Sequence, residues 1–239
     1  MGRLFLVRHA QASFLSQNYD QLSSLGETQA RHLGAYWARR SIIFDRVVSG
    51  PSQRHRQSAQ IVREAYRQAG LPFPEPIILN EFDEFRGDEV LGQSLPQLRA
   101  QDARIRDLED AMQVAGVETQ KRAAFQRLFE AVIARWASGE IALQDVESWR
   151  EFSDRVNRGL ACIVADSNKG AKVVVFTSGG PLGVVMQHAL HLSPQDTLQI
   201  MWMSRNCSYS EFLFSRDRFT LSSFNANPHL DEDSLLTYR

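Results

Sequence analysis

The chain has 239 residues, 43% hydrophobic, 23% charged and 10% aromatic, with 27 basic against 28 acidic side chains. This composition supports a packed core and excludes gross disorder, and a net charge of -1 argues against a generic nucleic-acid binder. Two cysteines, Cys162 and Cys207, are too few for a disulfide framework and lack C-x-x-C spacing, which leaves one bridge formally possible.

No apolar run approaches the roughly 20 residues that cross a bilayer. The opening segment also lacks a basic stretch followed by an apolar one, so a soluble, cytoplasmic protein is expected.

Leu4-Phe5-Leu6-Val7 is a short apolar run that ends at Arg8-His9, the pattern of a buried parallel strand opening onto a loop. Ser24 and Glu27 have capping-box spacing, and Ala30, Leu33 and Trp37 then recur at helical intervals up to Arg39-Arg40. A second strand, Arg46-Val47-Val48, gives way to Ser49-Gly50-Pro51-Ser52 and a helix from about Gln53 to Gln68, stopped by Gly70 and Pro72. Ile77-Ile78-Leu79 reads as a third strand.

From about Asp83 to Asp145 charged helical stretches take over, including Pro96 to Met112 and Glu118 to Ala137. This segment, about 83–145, is expected to be a helical lid inserted into a single α/β domain covering 1–239. Phe125, Leu128, Phe129, Val132 and Trp136 form a packing stripe within it, while Arg86, Arg99, Arg104, Lys121 and Arg122 read as solvated charges.

Trp149, Phe152, Val156 and Ile163 mark a helix leading back to a central strand at Lys172 to Thr177, whose Val173-Val174-Val175 is the strongest β-branched run. A turn at Ser178-Gly179-Gly180-Pro181, a helix through Leu182 to Leu190, and a hairpin of Ser208 to Phe214 with Arg218 to Phe224 follow. The alternation predicts the α/β class: a three-layer α/β/α sandwich with a mainly parallel central sheet.

In such a sheet, ligands collect beyond the carboxyl ends of the strands, where helix N-termini present free N–H groups. Three loops fit: Arg8-His9, the Ser49 to Arg54 segment, and Ser178-Gly179-Gly180. Two guanidinium forks, an imidazole, a hydroxyl and backbone donors suit a tetrahedral oxyanion. A nucleotide loop is a poor alternative, since neither G-x-G-x-x-G nor a Walker lysine is present.

The segments LVRHAQAS, YDQLSSLGETQARHLG, SGPSQRHRQSAQIV and ILNEFDEF, in that order, resemble the histidine phosphatase superfamily, which includes the cofactor-dependent phosphoglycerate mutases. The likeness resumes at SWREFSDRV and VVVFTSGGPLG and touches NCSYSEF and FNANPHL. It implies that His9 is the phosphate-accepting nucleophile and Arg8 its phosphate-binding neighbour. Arg54 matches the second phosphate clamp, with Arg56 the alternative if the register slips by two. Glu81 is the first choice for the general acid, and Asp83 or Glu84 could take that role. Ser178 and Gly179 would complete the phosphate pocket, and no metal or cofactor is implied.

The sequence departs from the family pattern where a His-Gly pair ordinarily ends the late strand, because here Ser178 stands in the second histidine's place. A hydroxyl donates one hydrogen bond but brings no positive charge; losing a charge-assisted donor in a preorganised site costs on the order of 2 to 4 kcal/mol, or roughly 30-fold to 1000-fold in rate. His188 is too far along the next helix to substitute, and His32, His55, His191 and His229 read as surface or structural, with His55 touching the rim at most. Ala10 stands where relatives have glycine, tolerable if its φ is negative, and Ser13 is one place late for a phosphate contact.

The resemblance thus implies a metal-independent phosphatase acting on a small phosphomonoester, with no nucleic-acid or membrane partner and an open oligomeric state. Two alternatives are a phosphate-binding regulatory protein that has lost turnover and a mutase-like phosphotransferase.

Overall fold

A computed structural model describes residues 1–13 and 20–238. Among these residues six strands form one sheet in the order β3-β2-β4-β1-β5-β6: β1 (Gly2–Arg8), β2 (Arg46–Ser49), β3 (Ile77–Ile78), β4 (Lys172–Thr177), β5 (Tyr209–Ser215) and β6 (Arg218–Ala226). The first four run parallel, and β5 and β6 close one edge as an antiparallel hairpin. This is the mostly parallel α/β sheet that the sequence predicts.

The chain divides into two compact units, residues 1–84 with 155–239 and residues 85–154. In the first, β1 alternates its apolar side chains between the two sheet faces. Phe5 and Val7 join Leu33 and Trp37 of α1 (Ser24–Arg39), Val62 and Tyr66 of α2 (Gln53–Gln68), Val174 and Phe176 in one buried cluster. Edge-on contacts of Trp37 with Phe5 and Phe44 fix its packing. Helix α7 (Gly179–Leu190), buried along Leu182, Val184, Val185 and Met186, packs on β1 and β6. Helix α8 (Pro194–Met203), which the sequence reading omits, packs against α7.

Local chemistry sets the helix starts. α1 is capped by Ser23, whose hydroxyl accepts from the Gly26 amide at 3.0 Å, one residue before the expected Ser24–Glu27 box. α7 starts at Gly179 and not at Leu182, because Pro181 falls in the first turn, where no intrahelical N–H is missed. The two cysteines are free, Cys162 exposed and Cys207 buried, so no disulfide forms.

The second unit contains α3 (Gly87–Gln101), α4 (Ala103–Val114) and α5 (Glu118–Ser138), and the start of α6 (Trp149–Ala165). The expected helix over Pro96 to Met112 is instead two, broken at Asp102, whose carboxylate accepts from the Arg104 and Ile105 amides and caps α4. Leu128, Phe129, Val132 and Trp136 are buried as the stripe predicts. The unit extends to Asp154, beyond 145, because Trp149 and Phe152 pack on Trp136.

Candidate active site

The parallel register aligns the carboxyl ends of three strands. Arg8 pairs with Thr177 and Ser49 with Phe176, so the next residues in each chain segment, His9, Gly50 and Ser178, emerge side by side. This is the sheet end where an α/β fold gathers its ligands.

His9 is held from several directions. Its amide donates to Thr177 O at 2.7 Å, and its carbonyl accepts from the Cys207 amide at 3.1 Å and from Asn206 Nδ2 at 3.3 Å. Nδ1 of the ring lies 2.8 Å from Ala10 O. A carbonyl only accepts, so Nδ1 carries the proton and Nε2 of the neutral ring is bare. Burial holds His9 well below the usual imidazole range, with further lowering by Arg54, His55 and Arg8. Ala10 has no positive φ, which explains why alanine is accommodated there. Its amide donates to Ser58 Oγ at 3.1 Å, which ties the His9 loop to α2.

Arg8 is buried and donates to the carbonyl and hydroxyl of Ser204 at the end of α8. Arg54, on the first turn of α2, donates Nη1 to Asp20 Oδ1 at 2.7 Å and Nη2 to Ser178 Oγ at 3.3 Å. Arg56 is exposed, so Arg54 and not Arg56 occupies the site. Ser178, 1% exposed, is the N-cap of α7 and makes no capping bond of its own. Gly179, beside it, begins that helix and is buried.

One sequence reading changes. His55 is not a surface or rim residue: it is 0% exposed, its Nε2 lies 2.6 Å from Ser178 Oγ, and its ring centroid is 5.6 Å from that of His9. Ser13 is engaged with Leu22 O at 3.1 Å and, through its amide, with Gln21 O.

The acidic segment also sorts itself. Glu84 Oε2 accepts from the Gly180 amide at 3.1 Å, at the start of α7 beside Ser178. Asp83 accepts from the Ser52 hydroxyl at 2.7 Å. Among the described residues the Glu81 carboxylate makes no hydrogen bond, and its Cβ packs where a side chain on Gly159 of α6 would clash at 2.6 Å. The structure therefore ties Glu84 by a hydrogen bond to the start of α7, one residue past Gly179, and does not tie Glu81 there by one.

The family model of the histidine phosphatase superfamily, branch 1, matches residues 4–138 and 112–227. The chain belongs to the histidine phosphatase superfamily. A broad-specificity phosphatase of Saccharomyces cerevisiae is 37% identical over 76 residues, 29% of this chain and 33% of that protein. The chain thus spans about a third of the length of that curated relative.

Solved structures of other members share the fold. Phosphoserine phosphatase of Entamoeba histolytica with 3-phosphoglyceric acid has a TM-score of 0.63 at 17% identity, covering 96% of this chain and 100% of that one. Mycobacterial glucosyl-3-phosphoglycerate phosphatase with VO3 gives 0.62 at 21% identity, covering 95% and 100%. Family and relatives together support a phosphatase or phosphoglycerate mutase-type enzyme.

Sequence reasoning places His55 no deeper than the rim, because its adjacency to Arg54 brings it near the site without showing that its ring is buried there. A signal was available in Gly50. A Cβ there would come within 2.4 Å of His55 Nδ1, so the glycine opens the slot that receives the ring.

Proposed function

We propose that the protein is a metal-independent phosphatase that hydrolyses a small phosphomonoester through a phosphohistidine on His9. The observation that carries this reading is the 2.8 Å contact of His9 Nδ1 with Ala10 O, which leaves Nε2 bare in a buried, cationic pocket.

Arg8 and Arg54 neutralise the phosphoryl oxygens as bidentate donors, the work a divalent cation would otherwise do. Ser178 and the Gly179 amide at the start of α7 complete the oxyanion cradle. The Nε2 lone pair attacks phosphorus in line with the ester oxygen. As the P–O bond breaks, a carboxylic acid protonates the departing oxygen and an alcohol leaves. Water then attacks the phosphohistidine, the same carboxylate takes its proton, and the P–N electron pair returns to Nε2 as inorganic phosphate is released.

Glu84, which lies beside Ser178 through its contact with the Gly180 amide, is taken as that acid for its position, with Glu81 the alternative. The reading is tested by a screen of phosphomonoesters with and without chelator, with Arg8→Ala as the control. Turnover that survives chelation and is lost in Arg8→Ala supports it. Turnover abolished by chelation contradicts it.

The hydroxyl at position 178, where relatives are expected to have an imidazole, favours one second reading: a phosphate-binding protein without turnover. Binding of phosphate with no label transferred to the protein would distinguish it.

A further inference from the structure

The His55–Ser178 contact carries an inference beyond the roles assigned to Arg8, His9 and Arg54. His55 sits on the first turn of α2, fully buried, with Nε2 2.6 Å from Ser178 Oγ. Its other nitrogen, Nδ1, is buried with no hydrogen-bond partner among the described residues. Gly50 leaves the slot for the ring, since a Cβ there would lie 2.4 Å from Nδ1 and 2.6 Å from Phe82 O.

A proton on Nδ1 would be a buried donor with nothing to receive it, which costs more than leaving that nitrogen bare. The favoured tautomer therefore carries its proton on Nε2, and His55 donates to Ser178 Oγ. Arg54 Nη2 donates to the same oxygen at 3.3 Å. A serine hydroxyl has two lone pairs and one proton. With both lone pairs taken, its O–H is the remaining group, free to turn away from His55 and Arg54, at a strand end shared with His9, whose ring centroid is 5.6 Å from that of His55. Two donors into one oxygen also polarise that O–H and make it a stronger donor.

We propose that His55 is a positioning residue for phosphoryl transfer: it orients and polarises the Ser178 hydroxyl so that Ser178 donates to the phosphoryl oxygen developing charge opposite His9. The imidazole that strengthens the cradle thus comes from α2 and works through a serine. This rests on the function proposed above and adds a residue and a role to it.

The experiment measures kcat and KM for a phosphomonoester, and orthovanadate affinity, for the wild type and for His55→Ala, His55→Gln, Ser178→Ala and the double variant His55→Ala/Ser178→Ala. Loss of Ser178 is expected to lower kcat by about 100-fold to 1000-fold, the cost of one oxyanion donor, and loss of His55 by about 10-fold to 100-fold, with KM within about twofold in both. The double variant falls no further than Ser178→Ala, because one residue acts through the other. Glutamine restores part of the rate, since its amide can donate to Ser178. Orthovanadate binding weakens in parallel with kcat, while binding of inorganic phosphate changes little.

If His55→Ala stays within twofold of wild type while His9→Ala is inactive, the inference is overturned and the phosphatase reading stands. A loss that glutamine does not relieve and that adds to that of Ser178→Ala makes His55 a packing residue and also overturns it. If the wild type turns over no phosphomonoester, the functional reading fails, and the orthovanadate series alone decides: equal affinity in His55→Ala, or no binding by wild type, overturns the inference.

Discussion

Arg54 and Asp20 form an ion pair at 2.7 Å, and the same carboxylate accepts from the Gln53 amide at 2.8 Å. Asp20 therefore caps α2 and aims the guanidinium that donates to Ser178. Asp20→Asn keeps an acceptor but loses the charge, and is expected to raise KM several-fold with a smaller fall in kcat. Asp20→Ala removes the cap and is expected to cost about 1 kcal/mol of stability as well. Steady-state kinetics and urea denaturation of both variants check this; unchanged KM in Asp20→Asn would remove Asp20 from the positioning of Arg54.

Glu84 and Glu81 compete for the acid role. Glu84→Gln is expected to lower kcat by about 100-fold or more for an ester with a basic leaving oxygen, and by much less for a good leaving group such as p-nitrophenolate. Glu81→Gln is expected to lie within a few-fold of wild type on both. The reverse pattern returns the role to Glu81.

Activity should persist into mild acid. Burial, with Arg54, His55 and Arg8 nearby, holds the His9 imidazole well below its usual range, so the nitrogen proposed to attack stays unprotonated where an exposed histidine would be half charged. The acid limb of kcat/KM for p-nitrophenyl phosphate is therefore expected below pH 6.5, the ordinary imidazole value. A limb at or above 6.5 would mean that the ring is solvated.

Stability follows the same groups. Burial lowers His9 and His55 well below the usual range and His229 from 6.5 to about 4. Between the folded and unfolded values the unfolded chain binds more protons, so this stabilisation is complete above about pH 6.5 and is lost as pH falls. For His229 alone the loss from pH 7 to pH 5 is on the order of 2 kcal/mol. Urea midpoints at the two pH values check it, and His229→Phe is expected to reduce the difference.

The sheet was legible because β1 and β4 are buried on both faces and read as unbroken apolar runs, and α2 because Gly70 and Pro72 punctuate it. α8 was not, since Pro194 to Met203 follows a short loop and lacks a distinct apolar stripe. In the candidate site, Arg8, His9, Arg54 and Ser178 were expected from three strand-end loops, and the parallel register sets those strand ends side by side. The acid was harder: Asn80–Phe82 forms a single 3₁₀ turn, which rotates neighbouring carboxylates in directions that spacing alone does not give. His55 was hidden for a similar reason, its burial depending on a slot left by Gly50 in the loop that leads into α2.

The central claim concerns one nitrogen of His9. Rapid mixing of the protein with a ³²P-labelled phosphomonoester, quenched in alkali and followed by peptide mapping, tests it directly. Label is expected to be stable to alkali, labile to acid, confined to the peptide containing His9 and absent from His9→Ala. Label that survives acid but not alkali, or that persists in His9→Ala, would contradict it.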